Sequence, residues 1–290
     1  MLGTLVVLYL FLGGFGAGIL CVTAVWSLVF HRTMSRSQAQ TDAFDGFKAR
    51  CYGLGFVVLC LAALCLLLDL GRPERFFLLF VRPTFSILSF GSFALLASLL
   101  VGGFLVAANV LYVPFVHAPA RKVAEVLCVI VSLAMMAYTG VYVACVEAVA
   151  LWNNVAIPVL FACSSLSSAL SALFVAMPFV RDMRLLQGWT MALHRVHLGV
   201  LVLEVVSLGA FLAIAYADPF AHGSLQLLLS GEGFGGWLIV GVTVMGLLVP
   251  LASEGFMMAA RRLLRLLPVD VLCIAGGLLL RFCVVWSGMH

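Results

Sequence analysis

The chain has 290 residues, of which 64% are hydrophobic and 10% are charged, and its formal net charge is +4. Soluble domains average about 25% charged residues, so this composition excludes a protein that keeps most of its surface in water. It predicts a polytopic membrane protein that contacts the lipid bilayer. The small positive charge belongs to membrane topology, and we expect no nucleic-acid partner.

Eight apolar runs predict membrane-spanning helices, because each is long enough to cross the hydrocarbon core. Backbone groups in lipid must be hydrogen-bonded within the protein, so continuous helices are expected. The first run lacks a basic flank and a cleavage site, and we expect a retained helix instead of a signal peptide. The predicted fold is all-α, a compact bundle forming one domain over residues 1–290. The predicted spans are residues 3–30, 51–69, 85–112, 123–147, 157–180, 193–217, 234–259 and 268–289.

Two further features concern the packing of these spans. Runs of small residues, above all CSSLSSALSAL at 163–173, allow helices to approach closely in lipid. We expect these serines to serve packing and not a polar pathway. The longest loops are 31–50 and 218–233, and the second mixes glycines with an apolar patch that predicts an interfacial half-helix.

The distribution of basic residues predicts the orientation of the bundle. Twelve of the 16 Lys and Arg residues follow odd-numbered spans. Positively charged loops stay in the cytoplasm, so both chain termini are expected outside. The stretch LLLDLGRPERFF, after the second span, begins an external loop that nevertheless carries Arg72, Arg75 and Arg82. We interpret these three arginines as a docking surface for a soluble partner.

The cysteine and histidine patterns argue against metal cofactors held by this chain. The nine cysteines contain no CxxC pair, so we expect no iron–sulfur cluster and no other metal site. His194 and His197 lie three residues apart on one predicted span, and the other four histidines lie in loops or at the terminus. Two histidines on one helix cannot clamp the two faces of one haem, so we expect no haem.

Ionisable side chains inside the predicted spans are the strongest candidates for function, because lipid strongly disfavours them. Arg281 lies near the middle of span eight and Glu204 near the middle of span six, and we expect these two to pair. Glu254 is the alternative partner. With His194 and His197 these residues form a candidate proton route, although a structural ion pair explains Arg281 and Glu204 equally well. The remaining ionisable residues in spans are Asp69, Glu125, Glu147 and Asp270.

A second group of polar residues gathers at the predicted outer ends of spans one, two and four. Tyr138 and Tyr142 are four residues apart and share a helix face; Tyr9 begins span one, and Asp69 ends span two. A quinone headgroup needs hydrogen-bond donors and a proton acceptor beside an apolar slot, which this group supplies. Interfacial aromatic belts place tyrosines at the same depth, so both interpretations stay open.

Five stretches together resemble the NrfD/PsrC family, the polysulfide-reductase-type membrane subunits of respiratory complexes. These stretches are YLFLGGFGAG (9–18), LDLGRPERF (68–76), AYTGVYVA (137–144), WNNVAIPVLFACSSLSSALSAL (152–173) and GGLLLRFCVVWSG (276–288). The resemblance implies a haem-free quinol-binding anchor in a prokaryotic cytoplasmic (inner) membrane. The implied partners are a four-cluster ferredoxin-like iron–sulfur subunit, a molybdopterin-type catalytic subunit and the menaquinone pool.

The resemblance also assigns residues. Tyr138 matches the tyrosine that contacts the quinone, whereas Tyr9 stands where the polysulfide reductase member has a histidine. Asp69 and Arg72 match the aspartate and arginine of the LDLGRP element. We therefore expect Tyr138, Tyr9, Arg72 and Tyr142 to hold the headgroup, and Asp69 or Glu147 to accept a proton.

Three functions are compatible with the sequence. The first is quinol oxidation, or quinone reduction, with electrons exchanged with an iron–sulfur partner. The second adds proton translocation through the bundle to the same quinone site. The third is a secondary transporter, which the lack of internal repeats and the unbroken helices disfavour.

The predicted orientation can be tested with alkaline phosphatase fusions, since that enzyme is active only outside the cytoplasm. A fusion after residue 75 is expected to be active, and one after residue 121 inactive, because the loop after span three follows the positive-inside pattern. The reverse pattern of activity would contradict the orientation.

Overall fold

The computed structural model describes residues 3–32, 37–69, 87–110, 118–146, 148–180, 183–230, 234–260 and 267–289. Eight helices are long and apolar enough to cross a membrane, and within the described ranges there is no β-strand. The predicted all-α, eight-helix fold is confirmed. The helices are α1 Thr4–Arg32, α2 Gln38–Asp69, α3 Ile87–Val110, α4 Ala118–Ala144, α5 Ala156–Ala176, α6 Gln187–Ala217, α7 Trp237–Ala260 and α8 Leu267–Ser287.

Helix α2 begins 13 residues before its predicted start at 51, so the predicted loop 31–50 was too long. One side of the added turns is buried. Their buried side carries Phe44 and Phe47, which pack on α1: the Phe30 and Phe44 ring centroids are 4.1 Å apart, and those of Trp26 and Phe47 are 5.2 Å apart. Aromatic burial therefore extends the helix through a segment whose composition suggested a loop.

The other boundaries differ from the predicted ones by smaller amounts. Helices α4 and α6 begin earlier than expected, at Ala118 and Gln187. Between α6 and α7 a short helix, His222–Leu229, occupies the segment predicted as a half-helix. Asp218 precedes it, and its side chain accepts a hydrogen bond from the Phe220 amide at 3.0 Å.

Helix α7 departs from regular α geometry. Residues Trp237–Leu248 are π-helical, and the α-helix Val249–Ala260 continues them without a break. At Gly246 the α7 backbone touches α8, because a Cβ built on Gly246 would lie 2.7 Å from the Gly276 Cα. The glycines permit this close crossing, as the small-residue pattern predicted.

Consecutive spans alternate in direction, which defines two ends of the bundle. The terminal end contains the start of α1 and the end of α8. There the Asp69 Oδ1 lies 3.2 Å from where a Gly3 Cβ would stand, and the Trp152 indole donates to the Val284 carbonyl at 2.9 Å. At the opposite end, the start of α4 packs beside the end of α1, and the start of α6 beside the end of α7.

Candidate functional site

Residues from the stretches that resemble the family hold the helices together at the terminal end. Gly140 of α4 crosses α5 so closely that a Cβ there would overlap the Pro158 Cα. Asn154 Nδ2 donates to the Phe211 carbonyl of α6 at 3.0 Å, while its Oδ1 accepts from the Ala156 amide at 2.9 Å. Together with the hydrogen bond from the Trp152 indole to the α8 backbone, these contacts fix α4, α5, α6 and α8 relative to one another.

Tyr9 and Tyr138 face each other inside this end of the bundle. Each is only 2% exposed. Their hydroxyl groups are near enough to interact electrostatically, yet neither oxygen makes a hydrogen bond with a described residue. Tyr142 lies next to Tyr138, with 5.9 Å between ring centroids. The structure thus brings the three predicted tyrosines together, and we call them, with Gly91, the tyrosine pocket.

Gly91 of α3 determines where the Tyr138 ring lies. A Cβ at Gly91 would overlap the Tyr138 Cζ, Cε1 and Oη atoms. The phenol therefore rests directly on the α3 backbone, and the neighbouring Phe90 ring lies 6.2 Å away. Sequence reasoning missed Gly91, and the glycine between serines in SFGS was the available signal.

The predicted proton acceptor Asp69 lies at the edge of the tyrosine pocket. It is exposed at the last residue of α2, close enough to Tyr142 for electrostatic interaction. Four other predicted residues lie outside the described ranges. They are Arg72, Arg75, Arg82 and Glu147.

The tyrosine pocket fits a quinone headgroup on one observation of the structure. Buried polar atoms almost always have hydrogen-bond partners, and two adjacent phenol oxygens here lack them. A phenol both donates and accepts, so Tyr9 and Tyr138 can bond to a carbonyl or to a hydroxyl oxygen. The residues present are therefore compatible with either redox form of the headgroup.

Arg281 of α8 is completely buried, and serines and carbonyls surround it instead of the expected carboxylate. Its Nη2 donates to Ser165 Oγ at 2.6 Å and to the Phe161 carbonyl at 3.0 Å. Its Nη1 donates to the Gly277 carbonyl at 2.9 Å and to Ser164 Oγ at 3.3 Å. Aromatic rings cover the guanidinium, with Cζ 5.0 Å from the Phe161 centroid.

The expected direct ion pair between Glu204 and Arg281 was therefore wrong. Glu204, 2% exposed, accepts a hydrogen bond of 2.5 Å from Ser167 Oγ, and no ion pair of 4.0 Å or less joins it to Arg281. Ser164 and Ser167 belong to α5, which lies between the two charged residues. The charges interact through this serine face and not by contact.

The α5 serines pack closely against glycines of α1 and α8, as expected, and they also form hydrogen bonds. Ser164 and Ser165 bind Arg281, and Ser167 binds Glu204. One turn further, Ser171 Oγ lies 3.4 Å from His197 Nε2. All these serines are at most 1% exposed. The face that brings helices together also supplies hydroxyl groups to three buried ionisable residues.

Glu254 of α7 is held by both histidines of α6 and not by Arg281, for which it was the alternative partner. Its Oε1 lies 2.8 Å from His197 Nδ1 and 2.9 Å from His194 Nδ1. A carboxylate only accepts, so each Nδ1 carries a proton. The His194 ring stacks on Phe174 at 3.9 Å, and Asp270 of α8 lies within electrostatic reach of Glu254.

These contacts form a chain of polar side chains through the second half of the bundle, which we call the serine chain. It starts at His194 near the opposite end, continues through Glu254, His197 and Ser171, and reaches Ser167 with Glu204. The Cys273 thiol lies beside both Ser171 and Ser167. Beyond Ser164 and Ser165 the chain ends at Arg281, whose Nη2 lies 3.5 Å from where a Gly14 Cβ would stand on α1.

No metal site emerges from the parts of the chain that the structure describes, where no three His, Cys, Asp or Glu residues could hold an ion together. His194 and His197 both direct Nδ1 at Glu254. Their role in the structure is to bind a carboxylate.

The eight apolar helices define a multi-pass membrane protein whose buried polar groups concentrate in two places. The model of the family "Polysulphide reductase, NrfD" matches residues 1–290, and the chain belongs to this family. It is similar to Protein NrfD of Escherichia coli, with 26% identity over 59% of this chain and 54% of that protein. A similar relative is the Protein NrfD homolog of Haemophilus influenzae, with 26% identity over 57% of this chain and 52% of that protein. The matches thus span about half the length of these curated relatives.

The hydrogen bonds of Arg281 generate a stability prediction. Ser165→Ala removes the shortest of them and is expected to destabilise the protein by about 1.5–3 kcal/mol, as for a hydrogen bond to a charged group. Ser168→Ala is the matched control, because Ser168 is equally buried on α5 and its hydroxyl has no described partner. Unfolding of the detergent-solubilised protein measures both. Equal stability of the two variants would contradict the account of Arg281.

Proposed function

We propose that the chain is the membrane subunit of a respiratory oxidoreductase complex that exchanges electrons between a quinone, such as menaquinone, and an iron–sulfur partner. The observation that carries this proposal is the pair of adjacent, buried phenol oxygens of Tyr9 and Tyr138, for which the described residues offer no partner of good hydrogen-bonding geometry. Membership of the family supports it independently. We place the complex in the inner membrane of a prokaryote.

In this proposal the tyrosine pocket binds and orients the headgroup. Tyr138, fixed against Gly91, bonds to one headgroup oxygen, and Tyr9 bonds to the other. Bound quinol supplies two electrons and two protons on oxidation. Asp69, which is exposed at the pocket edge, accepts the two protons one after the other and releases each to solvent. The buried ring faces exclude water from the space between the two phenols.

The partners in this proposal are a four-cluster ferredoxin-like subunit, which takes the electrons, and a molybdopterin-type subunit, which carries the terminal reaction. Arg72, Arg75 and Arg82 follow Asp69 in the sequence. Three arginines after this residue suit a soluble subunit with an acidic docking face. The same arrangement serves quinone reduction when the catalytic partner is a dehydrogenase.

Removing the Tyr138 hydroxyl tests the pocket. Tyr138→Phe keeps the ring on Gly91 but removes one hydrogen bond to the headgroup, so quinol turnover by the assembled complex is expected to fall about tenfold or more. Gly91→Ala is expected to do the same by displacing the ring. Turnover is measured with a soluble quinol analogue and an artificial electron acceptor.

The matched control is Gly103→Ala on the same helix, where an added Cβ would meet only the Phe56 ring, at 3.3 Å. This variant should retain turnover. Assembly is followed by co-purification of the iron–sulfur partner. Wild-type turnover in both Tyr138→Phe and Gly91→Ala would contradict the assignment of the quinone site.

The serine chain favours a second candidate, proton translocation coupled to the quinone reaction. Hydrogen-bonded side chains that connect one end of a bundle to its middle are typical of proton relays in membranes. The chain begins at His194, which is 8% exposed, and every later member is at most 2% exposed. Its last member, Arg281, stacks on Phe11 of α1, with Cζ 5.4 Å from the ring centroid. Phe11 is two residues from Tyr9.

Glu254→Gln tests this second candidate. The amide can still bond to the histidines but cannot exchange a proton, so fewer protons should cross the membrane per electron while quinol turnover continues. Proteoliposomes containing the assembled complex, a quinol analogue and an artificial acceptor provide the measurement. Ser253→Ala is the control, since its hydroxyl bonds only to the Pro250 carbonyl, at 2.8 Å. An unchanged ratio of protons to electrons in Glu254→Gln would exclude a relay through Glu254.

A further inference from the structure

A third buried polar group lies in the first half of the bundle and belongs to neither the tyrosine pocket nor the serine chain. Glu125 of α4 is 2% exposed, and its Oε1 accepts a 2.6 Å hydrogen bond from Ser27 Oγ of α1. Tyr52 of α2 donates to the same oxygen at 3.5 Å. Together with His31, these residues form what we call the Glu125 site, at the opposite end from the tyrosine pocket.

The Glu125 carboxylate has no cationic partner within 4.0 Å among the described residues. Arg121, one turn earlier on α4, donates instead to the Ala108 carbonyl of α3 at 3.3 Å. A neutral polar residue would join three helices at lower cost than a buried carboxylate without a cation. An ionisable residue inside a span is a functional candidate by default, and neutral Ser27 and Tyr52 are the groups that bind it.

The Glu125 site connects to the end of α1 through His31. His31 Nδ1 lies 2.7 Å from the Ser27 carbonyl and 3.4 Å from the Ser27 hydroxyl. A carbonyl only accepts, so Nδ1 carries a proton. His31 is partly exposed in the last turn of α1. The order from surface to interior is thus His31, Ser27 and Glu125.

In the other direction, the buried face of α4 leads from Glu125 towards the tyrosine pocket. Cys128 and Ser132 follow at helical spacing, both buried, with Sγ and Oγ 3.9 Å apart. Met135 comes next and touches α1, since its Cε lies 2.7 Å from where a Gly13 Cβ would stand. Tyr138 is one turn further. On this face the flexible Met135 side chain lies between Ser132 and Tyr138 in the helical order.

We propose that Glu125 is a proton donor to the quinone pocket from the opposite, cytoplasmic end of the bundle, a role that rests on the proposed quinone site. When a quinone is reduced, two electrons arrive from the iron–sulfur partner and two protons complete the quinol. Glu125 supplies both protons, one after the other, along the α4 face past Met135, and it is reprotonated from the cytoplasm through His31 and Ser27 after each transfer. Other titratable groups near this path are Tyr52, Cys51, Cys128 and Cys21.

The test uses the assembled complex in proteoliposomes, with reduced viologen as electron donor and a menaquinone analogue as acceptor. Glu125→Gln keeps both hydrogen-bond partners but cannot supply a proton. It is expected to slow quinone reduction about tenfold or more, without changing binding of the analogue. Protons that cross the bundle sense the membrane potential, so the wild-type rate should depend on an imposed potential and the Glu125→Gln rate should not.

Ser27→Ala provides an independent variant, because it breaks the connection to His31 and leaves the carboxylate in place. It should slow quinone reduction in the same way. Thr23→Ala is its control, since Thr23 is also buried one turn away and its hydroxyl donates to the Ile19 carbonyl, at 2.7 Å, and not to Glu125. If both Glu125→Gln and Ser27→Ala kept the wild-type rate and the wild-type dependence on potential, the proposal would be contradicted. The Glu125 site would then serve only to join helices. Failure of the wild-type complex to bind the analogue would instead contradict the quinone site itself.

Discussion

The arrangement of this bundle depends on one constraint: a polar group inside a membrane must find its partners within the protein. Arg281 shows how the chain meets it. The guanidinium donates four hydrogen bonds to groups of α5 and α8, and two of the acceptors are the Ser164 and Ser165 hydroxyls. Because these serines are also small, α5 approaches its neighbours closely enough to deliver the hydroxyl groups. On this helix, the same serines therefore pack against the neighbouring helices and provide hydrogen-bond partners to the buried charge.

The two halves of the bundle treat polar groups differently. In α5–α8, Glu204, Glu254 and both histidines make short hydrogen bonds to one another or to α5. In α1–α4, the Tyr9 and Tyr138 oxygens are buried side by side without a partner of hydrogen-bonding geometry among the described residues. Two adjacent phenols, each able to donate and to accept, suit a ligand that carries two oxygens. For this reason we propose the quinone site between α1 and α4.

The sequence predicted the fold well and the site in part. Apolar runs located all eight spans, since lipid imposes hydrophobicity over a known length. The start of α2 was missed because burial of Phe44 and Phe47 depends on contacts with α1 that composition does not show. Tyr9, Tyr138 and Asp69 were expected together from helix alternation alone. The pairing of Arg281 was wrong, because charge complementarity suggested Glu204 while the geometry of α5 placed hydroxyl groups between the two. Gly91 was missed because its role is to leave space for the Tyr138 ring, which a Cβ would displace. Such a contact is not visible in the sequence.

The central claim is that a quinone headgroup binds between Tyr9 and Tyr138. The most direct measurement is a cryo-EM structure of the assembled complex with a menaquinone analogue. The account predicts headgroup density within hydrogen-bond distance of the Tyr138 hydroxyl, with its second oxygen towards Tyr9 and its tail leaving between helices into lipid. Headgroup density elsewhere in the complex, with Tyr9 and Tyr138 bonded to each other, would contradict the account.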